Sequence, residues 1–244
     1  MTELEKVKEL IDKSDKIAAL VGIQAELEQG LNGVGAEHLA YEIEEKYGYS
    51  TDEIITPSFL SKRVEIFYDY YKDIVLNKDN LQPSGTHKAM VRLEEKGKLL
   101  GLTTRSVYNL FERAGLKNII SLHGGVEHNT CPRCNREYGS AYIMDSRGVP
   151  VCEDCQTILR PGFQLYGEMI DNGKMTACAN YIAKADILLV VGASLNSPLC
   201  RYMTQYYTGD KLIVVTNNPS LGDEKANYLL KGNCSEIMEQ IISE

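Results

Sequence analysis

Short, nearly unbroken apolar runs alternate along this chain with stretches in which apolar positions recur every three or four residues. Five of the runs are KIAALVG from Lys16, GKLLGLTT from Gly97, KNIISLHG from Lys117, ADILLVVG from Ala185 and KLIVVTN from Lys211. Runs with so little polar alternation predict strands covered by helices on both faces. Their alternation with helical patterns predicts βαβ units and a parallel sheet. GFQLYG from Gly162 and NYLLKG from Asn227 predict two further short strands. The expected fold is α/β, an open, doubly wound, Rossmann-like parallel sheet with ligands at the carboxyl ends of its strands.

Two segments break this rhythm. Residues 36–80 read as helix without an intervening strand, with Phe59, Val64, Phe67, Tyr71 and Val75 at roughly helical spacing. The tyrosines of this segment, Tyr68, Tyr70 and Tyr71, serve either as core or as anchors for a partner. Residues 124–160 are rich in cysteine, glycine and polar side chains. The expected organisation is therefore a Rossmann-like domain of residues 1–35, 81–123 and 161–244, a helical insertion at 36–80 and a small domain at 124–160. SGTHKAMVRLEEKG from Ser84 leads back to the sheet as a helix with a capping serine and a closing glycine.

The formal net charge of −8 argues against binding to a phosphate backbone, which depends on displacing counterions with lysine and arginine. No apolar run is long enough to span a bilayer, and the charged N-terminus MTELEKVKELIDKSDK lacks the apolar core of a signal peptide. The expected setting is the cytoplasm, without nucleic-acid or membrane partners.

Cys131, Cys134, Cys152 and Cys155 form CPRC and CEDC with seventeen residues between them. Each two-residue gap turns a knuckle that presents two thiolates to one tetrahedral zinc ion, and the spacing is that of a zinc ribbon. A closed four-cysteine site leaves no open coordination position, so this zinc is expected to be structural. A redox dithiol is the competing reading of the same pairs. Arg133 and Arg136, beside the first knuckle, are placed to offset part of the thiolate charge. Cys178, Cys200 and Cys234 read as small buried hydrophobes. With the metal satisfied, His128 reads as a solvated loop residue. His123, at the carboxyl end of a predicted strand, is left open between a base and a structural histidine.

In order along the chain stand LHGG, the two CxxC pairs, LRPGFQLYGE, ADILLVVGASLNSP, VVTNNP and KGNCSE. This set resembles the sirtuin family, the NAD-dependent protein deacylases. The resemblance implies that His123 is the general base toward a ribose hydroxyl. It places Gly22, Gly192, Ser194, Asn217 and Cys234 at the cofactor, and Arg160, Pro161, Tyr166, Gly167 and Glu168 in the loop after the ribbon. It also implies structural zinc, NAD or ADP-ribose as ligand, and an acyl-lysine protein or peptide as substrate.

The departures fall in the other half of the cofactor site. Sirtuins carry TGAGIS after the first strand, where this chain reads VGIQAE, so Ile23 and Gln24 stand where small residues let the backbone approach a diphosphate. Glu26 replaces the serine and is expected to fill the anion site itself. Val34 and Gly35 stand in place of the family's Phe-Arg pair, beyond a surviving Gly30. The T-Q-N-I-D motif aligns with Thr104, Arg105, Ser106, Val107 and Tyr108, without its asparagine and aspartate. These losses favour a sirtuin-fold zinc protein with impaired or altered catalysis that binds NAD or ADP-ribose. The alternatives are an active protein-lysine deacylase or ADP-ribosyltransferase, and a protein-interaction scaffold.

Overall fold

The computed structural model describes residues 1–31, 39–77 and 81–242. Val34 and Gly35 lie outside the described residues. Six parallel strands form the main sheet: β1 (Ile17–Val21), β2 (Leu99–Thr104), β3 (Ile119–Ser121), β6 (Ile187–Val191), β7 (Leu212–Thr216) and β8 (Tyr228–Lys231), in the order β3-β2-β1-β6-β7-β8. The order reverses between β1 and β6, so the carboxyl ends of these two strands open a crevice at a topological switch point.

The apolar runs become strands because both faces of the sheet are buried. In β1, Ile17, Ala19 and Val21 pack into one core, while Ala18 and Leu20 pack into another on the opposite face. β6 divides in the same way, with Ile187, Leu189 and Val191 on the first face and Leu188 and Val190 on the second. The first face is covered by α1 (Glu3–Lys13), α7 (Gly85–Glu95), α8 (Leu110–Ala114) and α12 (Cys234–Ile241). The second is covered by α10 (Asn172–Lys184) and α11 (Pro198–Met203). Ser84 caps α7 as expected. GFQLYG is not a strand: Tyr166 N–H donates to Ile55 O (2.8 Å) and Gln164 N–H to His123 O (2.7 Å), so its backbone is spent on two different loops.

The two insertions share a third core. From the helical segment, α3 (Ala40–Tyr47), α4 (Thr51–Ile54), α5 (Pro57–Lys62) and α6 (Val64–Tyr70), followed by a wide helical turn over Tyr71–Leu76, pack against residues of the cysteine-rich segment. That segment contributes the hairpin β4 (Asn129–Thr130) and β5 (Glu137–Tyr138) and the helix α9 (Ser140–Asp145). Tyr68, Tyr70 and Tyr71 are at most 1% exposed, so they are core and not a docking face. Tyr71 donates to Asn129 Oδ1 at 2.9 Å and Tyr68 donates to Leu159 O, which ties the helices to the cysteine lobe. No described helix is long and apolar enough to cross a membrane.

Candidate active site

The switch point is built on two glycines. Gly22, immediately after β1, sits so close to the following turn of β6 that a Cβ on it would lie 2.2 Å from Gly192 O. Gly192 adopts φ +62°, a left-handed conformation that favours glycine, and a Cβ there would lie 3.0 Å from Gln24 Cβ. The close contact leaves a cavity of about 310 Å³ over the strand ends, lined by Gly22, Ile23, Gly192 and Arg105 among others. A second cavity of about 650 Å³ adjoins it and contains His123, Tyr108, Phe163 and Tyr166, with Ile23 and Arg105 forming the shared wall.

His123 follows β3 and is oriented by the loop after the cysteine lobe. Arg160 grips both carboxylate oxygens of Glu168 at 2.6 and 2.7 Å, and Glu168 Oε2 accepts from Leu165 N–H at 2.8 Å. The loop so closed places Gln164, whose amide nitrogen donates to Glu168 O (2.6 Å), leaving its Oε1 to face His123 Nδ1 at 2.8 Å. Because that oxygen can only accept, His123 carries its proton on Nδ1 and presents the lone pair of Nε2. Arg105 Nε donates to that Nε2 at 3.4 Å. Burial, Arg105 and Lys174 push the His123 pKa below its ordinary 6.5 against the opposing effect of the hydrogen bond that Nδ1–H donates to Gln164, so the imidazole is neutral at neutral pH.

The expected cofactor residues fall into two groups. Gly22 and Gly192 line the crevice. Asn217 and Cys234 lie on its far side at the end of β7 and the start of α12, but their polar groups are already occupied. Gln24 Oε1 accepts from Thr216 Oγ1 (3.0 Å) and Asn217 N–H (3.3 Å). Glu28 Oε1 accepts from Asn217 Nδ2 (3.1 Å) and Cys234 N–H (2.7 Å), while its Oε2 takes Ser235 N–H (3.3 Å). Asn233 caps α12, its Oδ1 accepting Glu236 N–H at 3.0 Å, and Glu28 takes the two preceding N–H groups at the helix's positive end, where a carboxylate is favoured by the dipole. Burial and the neighbouring Glu28 push the Cys234 thiol up to about 12. Ser194 is bound inward, to Ser220 and to Asp223 Oδ1 (3.1 Å). Asp223 is fully buried and also accepts Leu195 N–H at 2.7 Å, so it organises the turn after β6, a structural role the motifs did not mark.

Glu26 does not fill the anion site. It is completely buried on the other side of α2 (Gln24–Leu27), with Oε1 3.8 Å from His87 Nε2 and neither oxygen hydrogen-bonded. The internal bonds instead come from Gln24 and Glu28, four residues apart on one helical face, and they fill the β7 and α12 side of the crevice. Ser106 Oγ accepts Tyr108 N–H (3.4 Å), and the Tyr108 hydroxyl is buried without a hydrogen-bond partner. Neither supplies a carboxylate to the second cavity.

The four cysteines converge: one sulfur from each lies within 4.8 Å of all the others, and Cys134 Sγ and Cys152 Sγ are 3.7 Å apart. A tetrahedron with zinc–sulfur bonds of about 2.3 Å has sulfur–sulfur edges of about 3.8 Å, so the donors fit zinc. Around them, Tyr138 donates its hydroxyl to Cys152 Sγ at 3.2 Å and Arg133 N–H donates to Cys131 Sγ at 3.4 Å. Arg133 therefore acts through its backbone. Arg136 pairs across the knuckles with Glu153 (3.4 Å) and Asp154 (3.0 Å) and is not placed on the thiolates. His128 is half-exposed beside Glu137, as a solvated loop residue would be. Cys178 and Cys200 are buried in the second-face core.

A dinucleotide-type α/β sheet with a four-cysteine lobe and a neutral histidine at the strand ends defines the class of protein. Residues 35–197 match the model of the Sir2 family, and the chain belongs to that family. It is 30% identical over 245 residues to an NAD-dependent protein deacetylase of Clostridium tetani, covering 100% of this chain and 99% of that protein. A protein of the same name from Clostridium perfringens is 28% identical over 241 residues, with 98% of each covered. Among solved structures, a Sir2 homolog–NAD complex superposes with a TM-score of 0.80 at 27% identity, covering 98% of this chain and 92% of that one. A structure describing the basis of sirtuin substrate affinity superposes with a TM-score of 0.84 at 25% identity, covering 99% and 98%.

Protein purified without chelator is expected to carry one zinc per chain by elemental analysis, and Cys152→Ser to lose both the metal and the hydrogen-exchange protection of residues 124–160. Metal-free wild-type protein with that protection intact would contradict the assignment. The His123 ring is expected to titrate below 6.5 by proton NMR, and Gln164→Leu, which removes the bond favouring the charged form, to move the midpoint lower still. An upward shift would mean that the Gln164 contact is misread.

Proposed function

We propose that the chain removes acyl groups from lysine on proteins or peptides using NAD, with altered handling of the cofactor. The observation that carries this reading is His123, held by Gln164 in the tautomer whose Nε2 faces the cavity at the carboxyl end of the sheet. Its relatives named NAD-dependent protein deacetylase, and Sir2 structures holding acetylated or propionylated peptides, support the substrate class. The four thiolates suit a reducing compartment, which supports the cytoplasm as the setting.

NAD, when bound, supplies a ribose carbon from which nicotinamide leaves. The residues of this chain do the rest. Gly22 and Gly192 keep side chains away from the diphosphate path. Asn217 and the N-terminus of α12 take the adenosine side once Glu28 and Gln24 give way. His123 Nε2 takes a proton from a ribose hydroxyl, and its position beside Phe163 and Tyr166 keeps that transfer out of bulk water. With Ser106 and Tyr108 in place of the family's asparagine and aspartate, nicotinamide is held weakly. The same substitutions favour a second reading, a binder of ADP-ribose-like ligands without efficient deacylation.

Nicotinamide release from NAD in the presence of acetyl-lysine peptides tests the first reading. Slow turnover with a raised KM for NAD is expected, falling about a hundredfold or more in His123→Ala. No release at any NAD concentration, alongside measurable ADP-ribose binding, would establish the second reading instead.

A further inference from the structure

Arg105 occupies the wall between the two cavities, in the position where the family motif carries glutamine. Among the described residues, it is the one charged side chain lining the smaller cavity. In the larger cavity the other charged groups are accounted for: Glu168 is taken by Arg160, and His123 is neutral. Arg105 forms no ion pair with a described carboxylate, and its one described side-chain hydrogen bond runs from Nε to His123 Nε2 at 3.4 Å. The remaining guanidinium N–H groups are donors available to a ligand.

That one bond falls on the atom the chemistry needs. Gln164 fixes the proton of His123 on Nδ1, so Nε2 holds the only lone pair through which the imidazole acts as a base. While Arg105 donates to it, Nε2 cannot accept a proton from a hydroxyl. The contact is long for a hydrogen bond and joins a cation to a neutral ring, whereas a guanidinium and a phosphate make short, paired, charge-assisted bonds. An anion arriving beside Arg105 therefore outcompetes the histidine.

We propose that Arg105 is an anion-operated latch on His123: a diphosphate seated over Gly22 and Gly192 draws the guanidinium off Nε2 and frees that nitrogen to accept the hydroxyl proton. The latch rests on the deacylase reading for its purpose, but not for its existence. It makes the base silent until the dinucleotide is in place, and it supplies a cation to the crevice from the loop that follows β2. Arg105 is a positioning residue in this account, because it acts through His123 and through the ligand's phosphates, not on the reacting atoms.

The test is nitrogen-15 NMR of the histidine side chains, with His123 assigned by its loss in His123→Gln, while inorganic pyrophosphate or ADP-ribose is titrated. In the wild type both probes are expected to move the Nε2 resonance of His123 to that of a nitrogen without a donor. In Arg105→Gln the resonance starts at the released position and stays there, and pyrophosphate binds about tenfold more weakly or worse. Arg105→Lys, which keeps the charge without the fork, is expected to retain part of the affinity while losing the Nε2 bond. Saturating probe that leaves the wild-type resonance unmoved, no binding of either probe at millimolar concentration, or equal affinity in Arg105→Gln would each overturn the latch. A protein that shows the release but liberates no nicotinamide keeps the latch and loses the deacylase reading; the reverse result loses the latch alone.

Discussion

Backbone donors at the end of β7 and the beginning of α12 cannot be left bare in a crevice between packed layers, and this demand governs the whole cofactor side of the molecule. Here the chain meets it internally. The short helix after β1 carries Gln24 and Glu28 on one face, and their side chains take Asn217 N–H, Cys234 N–H and Ser235 N–H. The contact between Gly22 and Gly192 brings that helix close enough to reach across. A ligand entering on this side replaces existing bonds and does not fill bare donors, so its net gain is the difference between two sets of contacts.

The side of the crevice that holds His123 follows a different rule. There the proposed base is positioned from outside the sheet, through a sequence of contacts that begins in the cysteine lobe. The lobe ends at Arg160, Arg160 closes on Glu168, and that loop presents Gln164 to His123. A zinc ion held by the four thiolates would bear on His123 only through the loop that follows the lobe. Tyr71 and Tyr68 hold the same lobe against the helical insertion, which explains why a segment with no strand of its own belongs to the architecture of the site.

Much of the fold was legible because its strands are buried on both faces and so are written as continuous apolar runs, and the zinc donors were legible because thiolate spacing follows directly from tetrahedral geometry. GFQLYG misled because a loop that buries alternate side chains, Phe163 and Leu165, has the period of a strand. Which acidic residue faces the crevice was misassigned for a similar reason. Glu26 and Glu28 are two positions apart, which places them on opposite sides of a helix, and composition cannot say which side meets the crevice. Its partner His87 lies on α7, more than fifty positions away, where no local pattern indicates it. Asp223 and the orientation of Arg105 depend on long-range packing in the same way.

The internal competition at α12 is tested most directly by titration calorimetry of ADP-ribose against wild type and Glu28→Ala, with thermal unfolding measured on the same samples. Removing the carboxylate is expected to lower thermal stability, by roughly 1 kcal/mol for the hydrogen bonds lost at a helix end that Asn233 still caps, while tightening ADP-ribose binding severalfold because fewer bonds must be exchanged. Folded Glu28→Ala protein that binds ADP-ribose no more tightly than wild type would contradict the account.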